Sequence, residues 1–138
     1  MFIGLNPSTA DEVRDDPTIR RCIRFAKDWG YSAVCVANLF AYRATRFVEL
    51  KAQPEPIGIE NNAWLRQLAN MADLIVAAWG VNGIYRKRDE QVLQLLPETV
   101  MCLRQTKSGQ PQHPLYLPAW MRPFLYRGSP KLRRVQTQ

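Results

Sequence analysis

The chain has little of the side-chain chemistry that most often marks a metal or redox centre: three cysteines and one histidine in 138 residues. Cys22, Cys35 and Cys102 lie far apart with no C-x-x-C pair. That spacing argues against a disulfide framework, a zinc site or an iron–sulfur cluster, so all three are expected to be small core residues, with no metal and no cofactor. No apolar run approaches the about eighteen residues that read as a membrane span. Nor does a basic-then-apolar leader precede the first apolar run, so the expected location is cytoplasmic, with no membrane partner. Protein partners stay unknown at this level. No internal repeat or low-complexity tract stands out.

What is present is an ordinary core-forming composition, 46% hydrophobic and 22% charged, enough for one folded domain. The net charge of +7 and a pI near 9.7 favour a polyanionic partner such as DNA or a nucleotide. Part of that excess is terminal: Arg127, Lys131, Arg133 and Arg134 lie in a stretch without apolar periodicity. The expected organisation is therefore one domain over 1–126 and a basic, flexible tail over 127–138.

Along the chain, short apolar runs alternate with helical patterns. "FIGL" reads as a buried strand that stops at the turn-forming Asn6-Pro7-Ser8. "DDPTIRRCIRFAKDWG" has Asp16 as N-cap, Pro17 at the first helical position, Ile19, Ile23 and Ala26 on one face, and Gly30 as C-terminal cap. Its other face carries Arg20, Arg24 and Lys27. "SAVCVANLF" is a second strand interrupted by Asn38, and residues 41–56 read as a long irregular loop. A helix over about 60–72 would bury Trp64, Leu65, Leu68 and Met71. "LIVAAWG" is a third strand, "IYRKRDEQVLQLL" a third helix and "TVMCLR" a fourth strand, before a turn-rich segment holding His113. The expected fold is α/β: a three-layer α/β/α sandwich around a central, mainly parallel four-stranded sheet. In such sheets ligands bind outside the carboxyl ends of the strands. Asn6-Pro7-Ser8, Asn38, Trp79-Gly80 and the His113 loop should therefore gather on one edge.

Two resemblances follow from these segments. "GLNPSTAD", "DDPTIRRC", "NLFAYRAT", "VAAWG" and "TKSGQPQHPLYLP" together resemble an uncharacterised bacterial and phage family, Domain of Unknown Function 1643, which supplies no activity. More distantly, the order of elements resembles the uracil-DNA glycosylase superfamily, α/β/α enzymes with one motif after the first strand and an H-P-S motif after the last. Gly4-Leu5-Asn6-Pro7 is similar to the mismatch-type first motif, with Asn where other members carry a water-activating Asp. His113-Pro114 is similar to the second motif, although Leu115 replaces its Ser. Asn38 stands where an Asn reads the flipped base.

The resemblance implies roles that the residues can be weighed against. His113 could donate a hydrogen bond to a departing base anion, or could simply shape its turn beside Pro114. Asn6 could place a water but cannot take its proton. Asp11 is the nearest candidate base, with the capping of its own loop as the competing use. Asn38 could read a base edge or cap the strand end. Pro7, Ser8, Trp79 and Tyr42 could line the ligand; an ordinary turn for Ser8 and a packing role for Trp79 compete. Arg43, Arg46, Lys107 and Arg20 could contact nucleic acid or be scattered solvated charge. Three functions stay open: a glycosylase-like hydrolase acting on a base in DNA or a nucleotide, a non-catalytic nucleic-acid or nucleotide binding module, and a small-metabolite-binding α/β protein.

Overall fold

Side chains alternate faces along a strand, and the short strands of this chain are apolar on both. In the computed structural model, which describes residues 1–8 and 16–126, Phe2 of β1 (Phe2–Gly4) faces one layer and Ile3 the other. The same alternation sends Val76 and Ala78 one way and Ala77 and Trp79 the other around β3 (Val76–Ala77). It also divides Leu103 from Cys102, the last residue of β4 (Met101–Cys102). Helices lie against both faces. Cys22 and Phe25 of α1 (Pro17–Asp28) pack with Phe2, Val76 and Leu117. Leu50 of α2 (Phe47–Lys51), Leu65 and Ala69 of α3 (Asn61–Met71), and Val92 and Leu93 of α4 (Arg88–Leu95) pack with Ile3, Ala77 and Trp79.

The sheet has five strands in the order β2-β1-β3-β4-β5, with β2 at Val36–Asn38 and β5 at Phe124–Leu125. Strands β1 to β4 are parallel and β5 is antiparallel to β4. The expected four-stranded sheet is thus corrected to a mixed five-stranded one. Phe124 and Leu125 follow a proline and are too few to show an alternation, yet they complete the open edge of β4, and the Tyr126 N–H donates to the Val100 carbonyl at 2.9 Å. The expected tail, 127–138, lies outside the described residues.

α1 begins as its sequence indicates. Asp16 Oδ1 accepts from the N–H groups of Thr18 (2.8 Å) and Ile19 (3.3 Å), with Pro17 in the first turn. It ends with Gly30 at φ 91°, where the Gly30 and Tyr31 N–H groups close on the Lys27 and Ala26 carbonyls; this left-handed cap is what glycine tolerates best. The buried stripe, however, is Cys22, Phe25 and Ala26, and Ile23 is exposed. Two apolar stripes compete on this helix, and the one carrying Phe25 and Trp29 removes more apolar area from water. In α3, Leu65 and Ala69, four residues apart and so on one face of the helix, are buried, while Trp64 and Met71 are exposed.

The expected third helix is broken. A 3-10 stretch, Val81–Lys87, ends in extended Tyr85 followed by left-handed Arg86 and Lys87 (φ 55° and 54°). The break is held by Tyr85 packing on Phe40 and Phe47, and by Arg86 donating to the Pro54 and Gln53 carbonyls. The helix proper starts at Arg88, wholly buried, whose Nε donates to the Leu39 carbonyl at 2.7 Å. The cysteines are free, and Cys35 is only half-buried. Burial pushes the Cys22 thiol up to about 12 and that of Cys102 to about 11, so both stay protonated and unreactive. No helix among the described residues is long and apolar enough to cross a membrane.

Candidate functional site

The strand order reverses direction between β1 and β3: α1 carries the chain from β1 to β2 on one side, and the chain later returns to β3 on the other. Such a switch point leaves a crevice at the carboxyl ends of the two strands. A cleft of about 750 Å³ opens there, walled by Gly4–Ser8 after β1 and Trp79–Asn82 after β3, with Asn38, Asp16, Arg43 and His113 around it. The volume suits a nucleotide-sized ligand. A smaller, apolar hollow of about 290 Å³ lies at the opposite sheet edge, beside Leu74 and Cys35.

The structure brings Asn6, Pro7, Ser8, Asn38, Trp79 and His113 together in the cleft wall, with Arg43 as the cation among the described lining residues. Tyr42, Arg46, Lys107 and Arg20 stand outside that lining. Asp11 lies outside the described residues. Asn82 lines the cleft and was not foreseen from sequence; its signal, an amide five residues after the end of β3, is common to ordinary turns.

Asn38 sits at the end of β2, paired in register with Gly4 of β1. Its main-chain carbonyl accepts from Asn61 Nδ2 at 3.1 Å. Its side-chain amide, by contrast, takes no hydrogen bond among the described residues and lies across Gly4, so close that a Cβ there would meet Oδ1 at 2.9 Å. Strand-end capping is therefore not what this side chain does.

Asn6 is committed differently. Its Nδ2 donates to the carbonyls of Pro7 (3.1 Å), Tyr42 (3.2 Å) and Ala44 (3.0 Å). These bonds tie the β1 turn to the loop after β2, and Ala44 N–H returns a bond to the Pro7 carbonyl. Arg43, carried by that loop, is steadied by donation from Nη1 to the Ser8 carbonyl at 3.0 Å. Trp79 contributes to the wall but is 2% exposed. Its Nε1 donates to Gln110 Oε1 (3.0 Å), and Gln110 Nε2 donates to the buried Asp89 (3.3 Å). Trp79 is chiefly a packing residue.

His113 Nδ1 accepts from the Leu115 N–H at 3.2 Å, which assigns the proton of the neutral ring to Nε2. The residue is exposed, yet protein around the ring disfavours the imidazolium and lowers its pKa, and this outweighs the opposing influence of Asp16. A neutral His113 thus keeps an Nε2–H donor. Because the folded value lies below the ordinary one, the unfolded chain binds the proton first as pH falls. Stability should therefore decline as pH drops through about 6.5 toward the folded value, and level off below it. As the chain's single histidine, it gives one resolvable NMR titration. An apparent pKa below about 6.5 is expected; a higher value would mean that Asp16 dominates.

Against known proteins, the family described as Protein of unknown function (DUF1643) matches residues 1–115. No curated protein and no solved structure matches the chain.

Proposed function

The chain belongs to the family of proteins of unknown function DUF1643, and we propose that its cleft recognises a nucleobase, presented by a nucleotide or by an unpaired or extruded residue of DNA. The observation that carries this reading is the Asn38 side-chain amide, unpartnered among the described residues and laid over Gly4 at the cleft wall. A carboxamide offers an acceptor and a donor side by side, which matches the lactam edge of uracil, thymine, guanine or hypoxanthine. The Asn82 amide, the Arg43 guanidinium and the His113 Nε2–H add a second polar contact, a phosphate partner and a further donor on the same wall.

The His113 donor also favours a second reading, glycosylase-like hydrolysis, in keeping with the resemblance to the uracil-DNA glycosylase superfamily. Water would add to the anomeric carbon while the base leaves with the electron pair of the C–N bond, its developing charge met by His113. The water's proton needs an acceptor. Asn6 is an amide without useful basicity, and Asp16 is engaged as the N-cap of α1, its Oδ1 accepting two main-chain N–H groups. On the described residues, which do not include Asp11, recognition is accordingly the better supported of the two.

Calorimetric titration with nucleosides and nucleotides, beside incubation with uracil-, hypoxanthine- or mismatch-containing DNA followed by alkali, separates these readings. Asn38→Ala should weaken nucleotide binding by about tenfold to a hundredfold, the scale of one or two lost hydrogen bonds, with an unchanged unfolding midpoint. Abasic sites that vanish in His113→Ala would establish hydrolysis. Binding without abasic sites would leave recognition alone, and parent protein that binds no base, nucleoside or nucleotide would sink the proposal.

A further inference from the structure

After His113 the chain reads Pro114-Leu115-Tyr116-Leu117 and then Pro118-Ala119-Trp120-Met121, two adjacent units of the form proline, small or apolar, aromatic, apolar. The structure treats them alike. The Leu117 N–H donates to the Pro114 carbonyl and the Met121 N–H to the Pro118 carbonyl, both at 3.2 Å, so each unit is one hydrogen-bonded turn. The fourth residue of each packs into the layer under α1, Leu117 fully and Met121 partly. Its carbonyl is then held from α1 or its C-terminal cap: that of Leu117 by Arg21 Nη2, that of Met121 by Trp29 Nε1 at 3.1 Å. The third residue of each is left outside, Tyr116 at 91% and Trp120 at 75% exposure.

Two large aromatics at equivalent positions of rigid, proline-started turns are unusual on a surface, where burial would otherwise be worth a good deal. Their anchors, Arg21 and Trp29, are eight residues apart, about 12 Å along the helix, so the rings are separate platforms and not one stacked pair. A helix turns about 100° per residue, which places Arg24, Arg20 and Lys27 roughly 60–120° round from Arg21, on the side away from the buried Cys22 and Phe25. Arg24 pairs with Asp28. Arg20, Lys27 and the exposed Arg122 have no carboxylate partner among the described residues. Arg20 and Lys27 thus stand on the exposed side of the helix that anchors the turns, and Arg122 follows the second turn directly in the chain.

We propose that residues 114–121, with the basic flank of α1, form a stacking surface for single-stranded nucleic acid, outside the cleft. Tyr116 and Trp120 would each take the face of an unpaired base, and Arg20, Lys27 and Arg122 the phosphates. Every base offers a π-face, so such a surface is tolerant of sequence but not of pairing, which hides that face in a duplex.

The test is fluorescence anisotropy of the full chain with labelled twelve-nucleotide oligo(dT) and oligo(U), beside a duplex of the same length. The parent should bind a single strand more tightly than the duplex, in whichever of the two arms is the tighter. Tyr116→Ala and Trp120→Ala should each weaken single-strand binding by about five- to a hundredfold. Both side chains are exposed, so thermal midpoints should stay at the parent's. Arg20→Gln with Lys27→Gln should flatten the salt dependence. Nucleotide binding in the cleft, measured on the same aromatic variants, should be unchanged, so failure of the cleft reading and failure of this one are told apart. A parent that binds no single strand, or aromatic variants that bind as the parent does, would overturn the proposal; the first result would leave the face to a protein partner.

Discussion

Gly83→Ala is expected to cost about 3 kcal/mol or more, at the upper end of what overpacking a filled core does. A Cβ at this position would stand 2.0 Å from Trp79 Cδ1 and 2.6 Å from Nε1. The ring has nowhere to retreat. It is held by its bond to Gln110 and by Tyr126, edge-on at a centroid distance of 6.0 Å. Displacing it breaks the Trp79–Gln110–Asp89 chain as well, leaving buried polar groups without partners. Thermal or urea denaturation should register a fall of roughly 10–15 °C in Tm for a chain of this size. Trp79→Leu removes the atoms the new methyl would meet, so in the double variant the two losses should be strongly non-additive. A Gly83→Ala midpoint within about 0.5 kcal/mol of the parent, the range of ordinary surface changes, would contradict the packing of this wall.

Gly4→Ala should do the opposite: leave the fold alone and disable the cleft. The site is a strand position at ordinary φ, where alanine is no worse a residue than glycine, so stability should move by less than about 1 kcal/mol. The added Cβ would lie 2.9 Å from Asn38 Oδ1, and the amide must swing from its place over β1. On the proposed reading, nucleotide affinity falls about as far as in Asn38→Ala, and combining the two changes adds little, since both remove the same contact. Calorimetry on the two single variants and the double checks this. Unaltered affinity in Gly4→Ala would show that the orientation of Asn38 does not matter to the ligand.

The gathering of Asn6, Asn38, Trp79 and His113 at one edge was legible because it depends on strand direction alone, and apolar runs with intervening helices indicate parallel strands. The N-cap Asp16 and the C-terminal Gly30 were legible for a similar reason: each rests on local main-chain chemistry. Choices between competing surfaces were not. Ile23 and Phe25 are both apolar, and only the sheet opposite decides which is covered. Nothing in Tyr85-Arg86-Lys87 announces two left-handed residues, a strain that tertiary contacts impose. α2 is little more than one helical turn and β5 two residues, too short for any period to show. Arg88 reads as a solvated helix charge until the fold buries it against the Leu39 carbonyl. The role of Asn6 as a tie among three carbonyls needed the loop after β2 to be in place.

The direction of β5 decides at which pole of the sheet the described chain ends. Because that strand runs against its neighbour, Tyr126 arrives beside Val100, ahead of β4, at the pole of the sheet away from the cleft. The described chain therefore ends on the side opposite the candidate site, and Arg127, Lys131, Arg133 and Arg134 come after that point in the sequence. A fifth strand running parallel would have carried Tyr126 to the mouth of the cleft instead.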